Sequence, residues 1–142
     1  MIRSLNVSAY EGACPGPGAN RQILKIKGGP LYPAAAVRAL AESGNLVLWS
    51  NGARRDAVKW GLDLPDIAEL VCAALDGSGY RDSEWCLQHP GGPWAACDAY
   101  MVTRAEWNDR AQKALRVTWY LKIAISKAGT ALLSVSNHPE GT

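Results

Sequence analysis

Two short segments near the end of the chain carry a phenol, an ammonium and an imidazole that could act on one substrate. Residues 119–125 and 132–138 alternate between apolar and polar side chains, which is typical of half-buried strands. The link between them is short enough for a hairpin. In such a hairpin Tyr120 and Lys122 share one face, and His138 reaches that face from the partner strand.

These three groups can move protons and stabilise phosphate charge without a metal ion. Imidazole is the side chain best suited to proton transfer near neutral pH, so His138 could act as either an acid or a base. Tyr120 could donate a hydrogen bond or a proton, and Lys122 adds positive charge. The alternative interpretation of the same pattern is an ordinary solvated face of a sheet.

The same alternation predicts which side chains of the hairpin face the core. We expect Ser134 and Ser136 to lie beside His138 on the open face. The core-facing set is Trp119, Leu121, Ile123 and Ile125.

The composition predicts one globular domain with a substantial core, because 142 residues are present and 48% of them are hydrophobic. No stretch is long and apolar enough to span a membrane, and no signal-peptide segment opens the chain, so we expect a cytoplasmic protein without a membrane partner. The net charge is +2, with basic residues concentrated at both ends, which permits a polyanionic partner. Six Trp and five Tyr could stack on bases or fill the core in place of Phe, which is absent.

The four cysteines are expected to be reduced thiols. Cys86, His89 and Cys97 have a spacing that could begin a zinc site, with Cys14 or His138 completing it. Structural zinc sites usually contain two tight ligand pairs, and here there is one, so we predict no metal and no cofactor. His89 is also a second titratable candidate, although its simpler interpretation is an exposed loop histidine.

The order of elements predicts an α+β fold in which helices pack on an antiparallel sheet. Residues 1–32 are expected to form an N-terminal extension, and residues 33–142 the domain. A capping-box pattern beginning at Thr103 also suggests a helix inserted over residues 104–114. The other expected elements are helices over 33–43, 51–60 and 65–76 and strands over 21–27, 46–49, 80–87 and 94–102.

Short motifs along residues 33–140 follow a distinctive order. They are Val37-Arg38-Ala39-Leu40-Ala41-Glu42-Ser43-Gly44, Ala57-Val58-Lys59-Trp60-Gly61-Leu62-Asp63, Asp66-Ile67, Gly79-Tyr80-Arg81, Asp98-Ala99-Tyr100, Tyr120-Leu121-Lys122-Ile123 and Val135-Ser136-Asn137-His138. In this order and spacing the chain resembles the MqsR-type (motility quorum-sensing regulator) mRNA interferase toxins.

The resemblance implies a RelE-like ribonuclease fold, metal-independent cleavage of mRNA, and a cognate antitoxin protein as partner. The family's Tyr is retained as Tyr120. Its two catalytic Lys positions hold Arg81 and His138, and its Gln position holds Cys97, with Ala96 in place of the preceding Trp. The implied reaction is attack of a ribose 2′-OH on the adjacent phosphate, which needs a base, an acid and positive charge.

We therefore expect Tyr120, Lys122, His138 and Arg81 to line one solvent-open concavity. The predicted catalytic residues are Tyr120, His138 and Arg81, and the predicted substrate-binding residues are Lys122, Tyr80 and Tyr100. The alternative is a non-catalytic binding or inhibitor protein of phage or mobile-element origin on the same fold. The departures from the family's Gln and Lys favour that alternative, whereas Tyr120 and the titratable His138 oppose it.

Overall fold

The computed structural model describes residues 5–16 and 24–141. Within them the fold is α+β, as predicted, and the three expected helices are confirmed to within one residue at each end. The elements in chain order are β1 (Lys25–Ile26), α1 (Ala34–Glu42), β2 (Leu46–Leu48), α2 (Asn51–Trp60), α3 (Leu64–Asp76), β3 (Tyr80–Leu87), β4 (Trp94–Asn108), β5 (Lys113–Ile125) and β6 (Leu132–Pro139). Of the strand expected over 21–27, residues 21–23 lie outside the described residues.

Local signals in the sequence set the limits of α2 and α3. The Ser50 hydroxyl accepts a hydrogen bond from the Ala53 backbone N–H at 2.9 Å, and Gly61 ends α2 in the left-handed conformation at φ 64°. Asp63 and Asp66 form a reciprocal capping box at the start of α3, with distances of 2.8 and 2.9 Å. Each helix is thus defined by residues at its own ends.

Among the residues described, no helix combines the length and apolar character needed to cross a bilayer.

The six strands form one sheet in the order β1-β3-β4-β5-β6-β2. Neighbouring strands are antiparallel except β2 and β6, which are parallel. Helices α1 and α3 cover one face, here called the helix face, and bury a continuous apolar core against β4, β5 and β6. The opposite side is called the open face. Helix α2 lies along β6, where the Asn137 backbone N–H donates to the Asp56 carboxylate at 2.9 Å.

The helix expected over residues 104–114 is wrong. Strand β4 continues to Asn108, and β5 begins at Lys113 in register with it. Thr103, expected to cap a helix, instead forms a hydrogen bond with Thr118 across the two strands at 2.7 Å. Pairing with a distant strand has therefore overridden a local helix signal.

The first described residues are part of the sheet. Residues 5–9 lie between the diverging ends of β4 and β5: the Val7 backbone N–H donates to the Trp94 carbonyl at 2.9 Å, and that of Ala9 donates to the Ile125 carbonyl at 2.8 Å. The fully buried Ser8 hydroxyl accepts from the Ala96 backbone N–H at 2.9 Å. The segment expected to be an N-terminal extension thus supplies backbone partners that β4 and β5 do not supply to each other.

A buried carboxylate holds a second part of the N-terminal segment in place. Asp98 on β4 is fully buried and accepts from the Leu31 backbone N–H at 2.9 Å, from the Tyr32 backbone N–H at 3.2 Å and from the Ser83 hydroxyl at 2.7 Å. Burial raises the pKa of Asp98, although these three donors oppose that shift. The carboxylate therefore joins the N-terminal segment, β3 and β4 at one point.

We expect Asp98→Ala to lower the free energy of unfolding by roughly 3 kcal/mol or more, because a buried donor left without an acceptor costs about 1–3 kcal/mol. Chemical denaturation would measure this. Asp76→Ala is the matched control, since that carboxylate is exposed beside Arg38 and should matter little. Equal losses in the two variants would contradict the proposed role of Asp98.

Candidate functional site

The open face of the sheet is folded into a groove. The Asn51 backbone N–H donates to the Gln88 carbonyl at 3.0 Å, and the Gln88 side-chain amide donates to the Trp49 carbonyl at 2.9 Å. These bonds connect the end of β3 to the start of α2 beside β6, although β4 and β5 separate the two strands in the sheet. A groove of about 880 Å³ lies beside this connection, lined by residues of the connection and of the open face.

Charged, nucleophilic and aromatic side chains line this groove. Its floor includes Glu84, Cys86, Tyr120, Lys122 and Ser136, and its walls include Arg55 of α2 and His89 of the β3–β4 loop. The groove thus combines proton-transfer groups with positive charge.

Tyr120 and His138 form a pair on the open face. They are direct partners in the β5–β6 register, and their ring centroids are 5.5 Å apart at an interplanar angle of 36°. Burial raises the pKa of Tyr120, so its phenol stays protonated at neutral pH. The Nδ1 atom of His138 lies 3.1 Å from the Pro139 carbonyl oxygen. A carbonyl oxygen can only accept, so this contact is a hydrogen bond when Nδ1 carries a proton.

Lys122 lies beside the same pair and is held by Glu84. Its ammonium forms an ion pair with the Glu84 carboxylate and lies 5.5 Å from the Tyr120 ring centroid. Burial alone would lower the pKa of Lys122, but the Cys86 sulfur and the Glu84 carboxylate raise it above its usual range. Lys122 is therefore a fixed positive charge next to a phenol and an imidazole.

Glu84 lies between two ammonium groups. Lys25 Nζ is 3.2 Å from its carboxylate on one side, and Lys122 pairs with it on the other. Burial would raise the pKa of Glu84, but hydrogen bonds and attraction from Lys122 and Lys25 hold it below its usual range. Glu84 is thus ionised at neutral pH and offsets part of the positive charge of the groove floor.

A register shift separates the two serines that we expected on one face. Lys122 pairs with Ser136, whereas the next residue, Ile123, pairs with Ser134, so β6 contains one extra residue at this point. Ser136 lines the groove. The expectation that Ser134 also lies on the open face is wrong: Ser134 is fully buried beside Asn137, whose amide donates to its hydroxyl. The expected core-facing residues of β5 are all buried.

Tyr80 and Tyr100 lie on the helix face rather than in the groove. Their rings form an edge-to-face pair with centroids 5.8 Å apart. Tyr100 is the strand partner of Leu121, which faces the opposite way from Tyr120. Burial raises the pKa of Tyr100 to about 12. The structure does not bring either side chain to the groove that Tyr120 lines.

Arg81 is exposed at the start of β3, where the register with β4 shifts. Its guanidinium donates to the Ser78 carbonyl at 3.2 Å and to the Tyr80 carbonyl at 3.3 Å. Of the four residues expected in one concavity, Tyr120 and Lys122 line the groove. His138 lies next to Tyr120 on the adjacent strand but is not one of the groove's lining residues, and Arg81 is bonded to the backbone elsewhere.

Other groups in the groove were missed from the sequence. Glu84 could have been found, because it lies two residues from Cys86 on an alternating strand. Arg55 gave no signal, since its position depends on how α2 packs along β6.

Cys86 and Cys97 are diagonal neighbours on the open face, because Cys97 pairs with Glu84. A hydrogen bond from Cys97 and the nearby charge of Lys122 lower the pKa of Cys86, whereas burial raises that of Cys97. Cys86 is therefore the more acidic thiol of the pair.

Within the described ranges, no three His, Cys, Asp or Glu side chains come together in a way that could hold a metal ion. Cys86, His89 and Cys97 do not form the cluster that a zinc site would need. Comparisons with protein-family models, with curated proteins and with solved structures find no match to this chain.

The ionisation of Glu84 should affect how the free energy of unfolding depends on pH. Its pKa in the folded protein lies below the usual value of 4.5, so its contribution is present above that pH and is lost as the pH falls through the folded pKa. In this acidic range, we expect the free energy of unfolding of Glu84→Gln to fall less steeply with decreasing pH than that of the wild type. Denaturation curves at several pH values would measure this, with the exposed Glu140→Gln as control. An unchanged slope in Glu84→Gln would contradict the assignment.

Cys86 should be more reactive than Cys72 at neutral pH, because the thiolate is the nucleophile and burial raises the pKa of Cys72. Labelling with iodoacetamide, followed residue by residue by mass spectrometry, would test this. Cys97→Ala should slow the labelling of Cys86 by removing its hydrogen bond. Faster labelling of Cys72 in the folded protein would contradict the prediction.

Proposed function

We propose that the groove, together with His138 beside Tyr120, is the active site of a metal-independent endoribonuclease that cleaves mRNA. The observation that carries the proposal is the Tyr120–His138 pair, at 5.5 Å between ring centroids, with the Lys122 ammonium on the same face of the sheet. The order of motifs along the chain supports assignment to the MqsR-type toxins and a RelE-like fold. On this proposal, a cognate antitoxin protein is the physiological partner.

The proposed reaction is internal transfer at one phosphate of the RNA. The ribose 2′-oxygen bonds to phosphorus and gives its proton to the His138 imidazole, while the bond from phosphorus to the 5′-oxygen breaks. The phenol of Tyr120, kept protonated by its raised pKa, donates to the leaving oxygen. The products are a 2′,3′-cyclic phosphate and a 5′-hydroxyl.

Lys122 is assigned to stabilise the negative charge that develops on the phosphorane. Such preorganised charge is most effective in a partly dry site, and the Lys122 side chain is 18% exposed. Glu84 fixes the position of this ammonium, so we assign it a positioning role. Arg55 and His89, on the groove walls, are available to bind phosphates on either side of the reacting one.

The second candidate function is binding without catalysis. Two observations favour it: Glu84 pairs with both Lys25 and Lys122, and the buried Cys97 occupies the position of the family's Gln. Such a protein would hold RNA or a protein partner in the groove and leave it intact. The two functions differ in whether RNA is cut.

Cleavage of a long mRNA by purified protein, with and without ribosomes, separates the two functions. We expect His138→Ala to lower the rate by roughly 10²–10⁴-fold, the usual contribution of a general acid or base. Tyr120→Phe should also impair cleavage, because it removes the donor while keeping the ring. EDTA should leave the rate unchanged. Circular dichroism would confirm that the variants fold.

Arg81→Ala and Tyr80→Phe are the matched controls, because neither side chain lies in the groove, and both should cleave at nearly the wild-type rate. Wild-type cleavage that survives both His138→Ala and Tyr120→Phe would remove this site from consideration. RNA binding without any wild-type cleavage would favour the non-catalytic function. Loss of cleavage in EDTA, with recovery on adding a divalent ion, would overturn the metal-free mechanism.

A further inference from the structure

The hairpin formed by residues 103–118, here called the arm, extends beyond the rest of the sheet. Strand β3 pairs with β4 only as far as Tyr100, and β6 pairs with β5 only from Trp119 onward. In the described part of the chain, the arm therefore has no neighbouring strand on either edge. Its core contacts are correspondingly few, and most of its side chains are exposed.

One face of the arm continues the open face of the groove. Met101 pairs with Tyr120, and in steps of two residues the same face passes through Thr103–Thr118 and Ala105–Arg116 to Trp107–Ala114. Six residues of strand separate Met101 from Trp107, which corresponds to roughly 20 Å. A ligand bound at Tyr120 could therefore continue along the arm to Trp107.

Trp107 presents its ring to solvent in a fixed position. The residue is 64% exposed, and its indole N–H donates to the Asp109 carboxylate at 2.9 Å. On the other face of the arm, Glu106 accepts hydrogen bonds from Arg104 at 2.8 Å and from the Trp119 indole at 3.2 Å. The polar groups on that face are hydrogen-bonded to one another. On the face with Trp107, by contrast, a flat aromatic ring is exposed to solvent.

The charge of the arm favours an anionic ligand. Residues 103–118 contain four cationic and two anionic side chains. Arg104 is paired with Glu106, but Arg110, Lys113 and Arg116 form no ion pair with any residue that the structure describes. Arg116 lies on the same face as Trp107, one row closer to Tyr120.

We propose that the arm binds single-stranded RNA on its way into the groove, with a base stacked on Trp107 and a phosphate bound by Arg116. An aromatic platform beside basic side chains is the arrangement by which proteins bind single strands. A protein partner would call for a broader apolar surface, whereas Thr103, Ala105 and Ala114 are the other members of this face. The proposal rests on the proposed function of the groove, because it places the same RNA in both.

The test is the affinity for a fluorescein-labelled 2′-O-methyl RNA 15-mer, measured by fluorescence anisotropy. This strand lacks the attacking hydroxyl, so the wild-type protein can be used without cutting it. We expect Trp107→Ala to bind roughly 5- to 150-fold more weakly, the usual effect of losing one base–aromatic stack. Trp107→Tyr should retain most of the affinity. Arg116→Ala should bind more weakly and show a shallower salt dependence.

Val58→Ala is the control, since Val58 is 85% exposed on α2, outside the arm, and its removal should not change affinity. Equal affinity of wild type and Trp107→Ala would overturn the role of the arm, even if the wild-type protein cleaves mRNA. Trp107-dependent binding of this strand, combined with no cleavage of the long mRNA by the same wild-type protein, would support the arm and refute the nuclease. If the wild-type protein does not bind the 15-mer at all, the proposed role of the arm is wrong. A dimer that Trp107→Ala converts to a monomer in light scattering, at unchanged RNA affinity, would assign the arm to a second copy instead.

Discussion

The contact of Gln88 with the start of α2 is the constraint on which the site depends. Two backbone-directed hydrogen bonds join the end of β3 to Trp49 and Asn51, across the width of two intervening strands. The connection closes one side of a groove that side chains from β3, β5 and β6 also line. Without this closure Tyr120 and Glu84 would lie on an open surface.

The electrostatics of the groove follow from that enclosure. Glu84 and Lys122 are each less than one fifth exposed, which strengthens their attraction and keeps both ionised. The ion pair holds one ammonium beside the Tyr120 phenol, and Lys25 supports it from the neighbouring strand. The floor is therefore ordered before any ligand arrives. A phosphate that enters the groove would compete with Glu84 for the Lys122 ammonium. This competition weakens phosphate binding, so positive charge on the groove walls must compensate for it.

Much of the fold could be predicted from local sequence signals. The caps at Ser50 and Asp63 identify α2 and α3, and the alternation over residues 119–125 identifies the core side of β5. These features depend on neighbours in the chain. The pairing of Tyr120 with His138 could also be predicted from the sequence, because a hairpin has few possible strand registers.

The rest depends on interactions between distant residues, which local patterns do not contain. One extra residue in β6 turned Ser134 to the other face, and the register shift at the start of β3 displaced Arg81. Tyr80 and Tyr100 were assigned to the site by motif, without the strand register that places them on the helix face. The residues that begin at Thr103 do match a capping-box pattern, but pairing with β5 stabilises an extended conformation instead of a helix.

The position of residues 5–9 between β4 and β5 has a consequence for how the protein is made. Ser8 pairs with Ser126, so one of the first described residues finds its partner only near the other end of the chain. Contacts of such high sequence separation form late, because a long loop must close first. During synthesis the gap between the two central strands therefore stays unfilled until β5 has left the ribosome. Residues 5–9 therefore wait, through the synthesis of more than 100 later residues, for the strand pair that they complete.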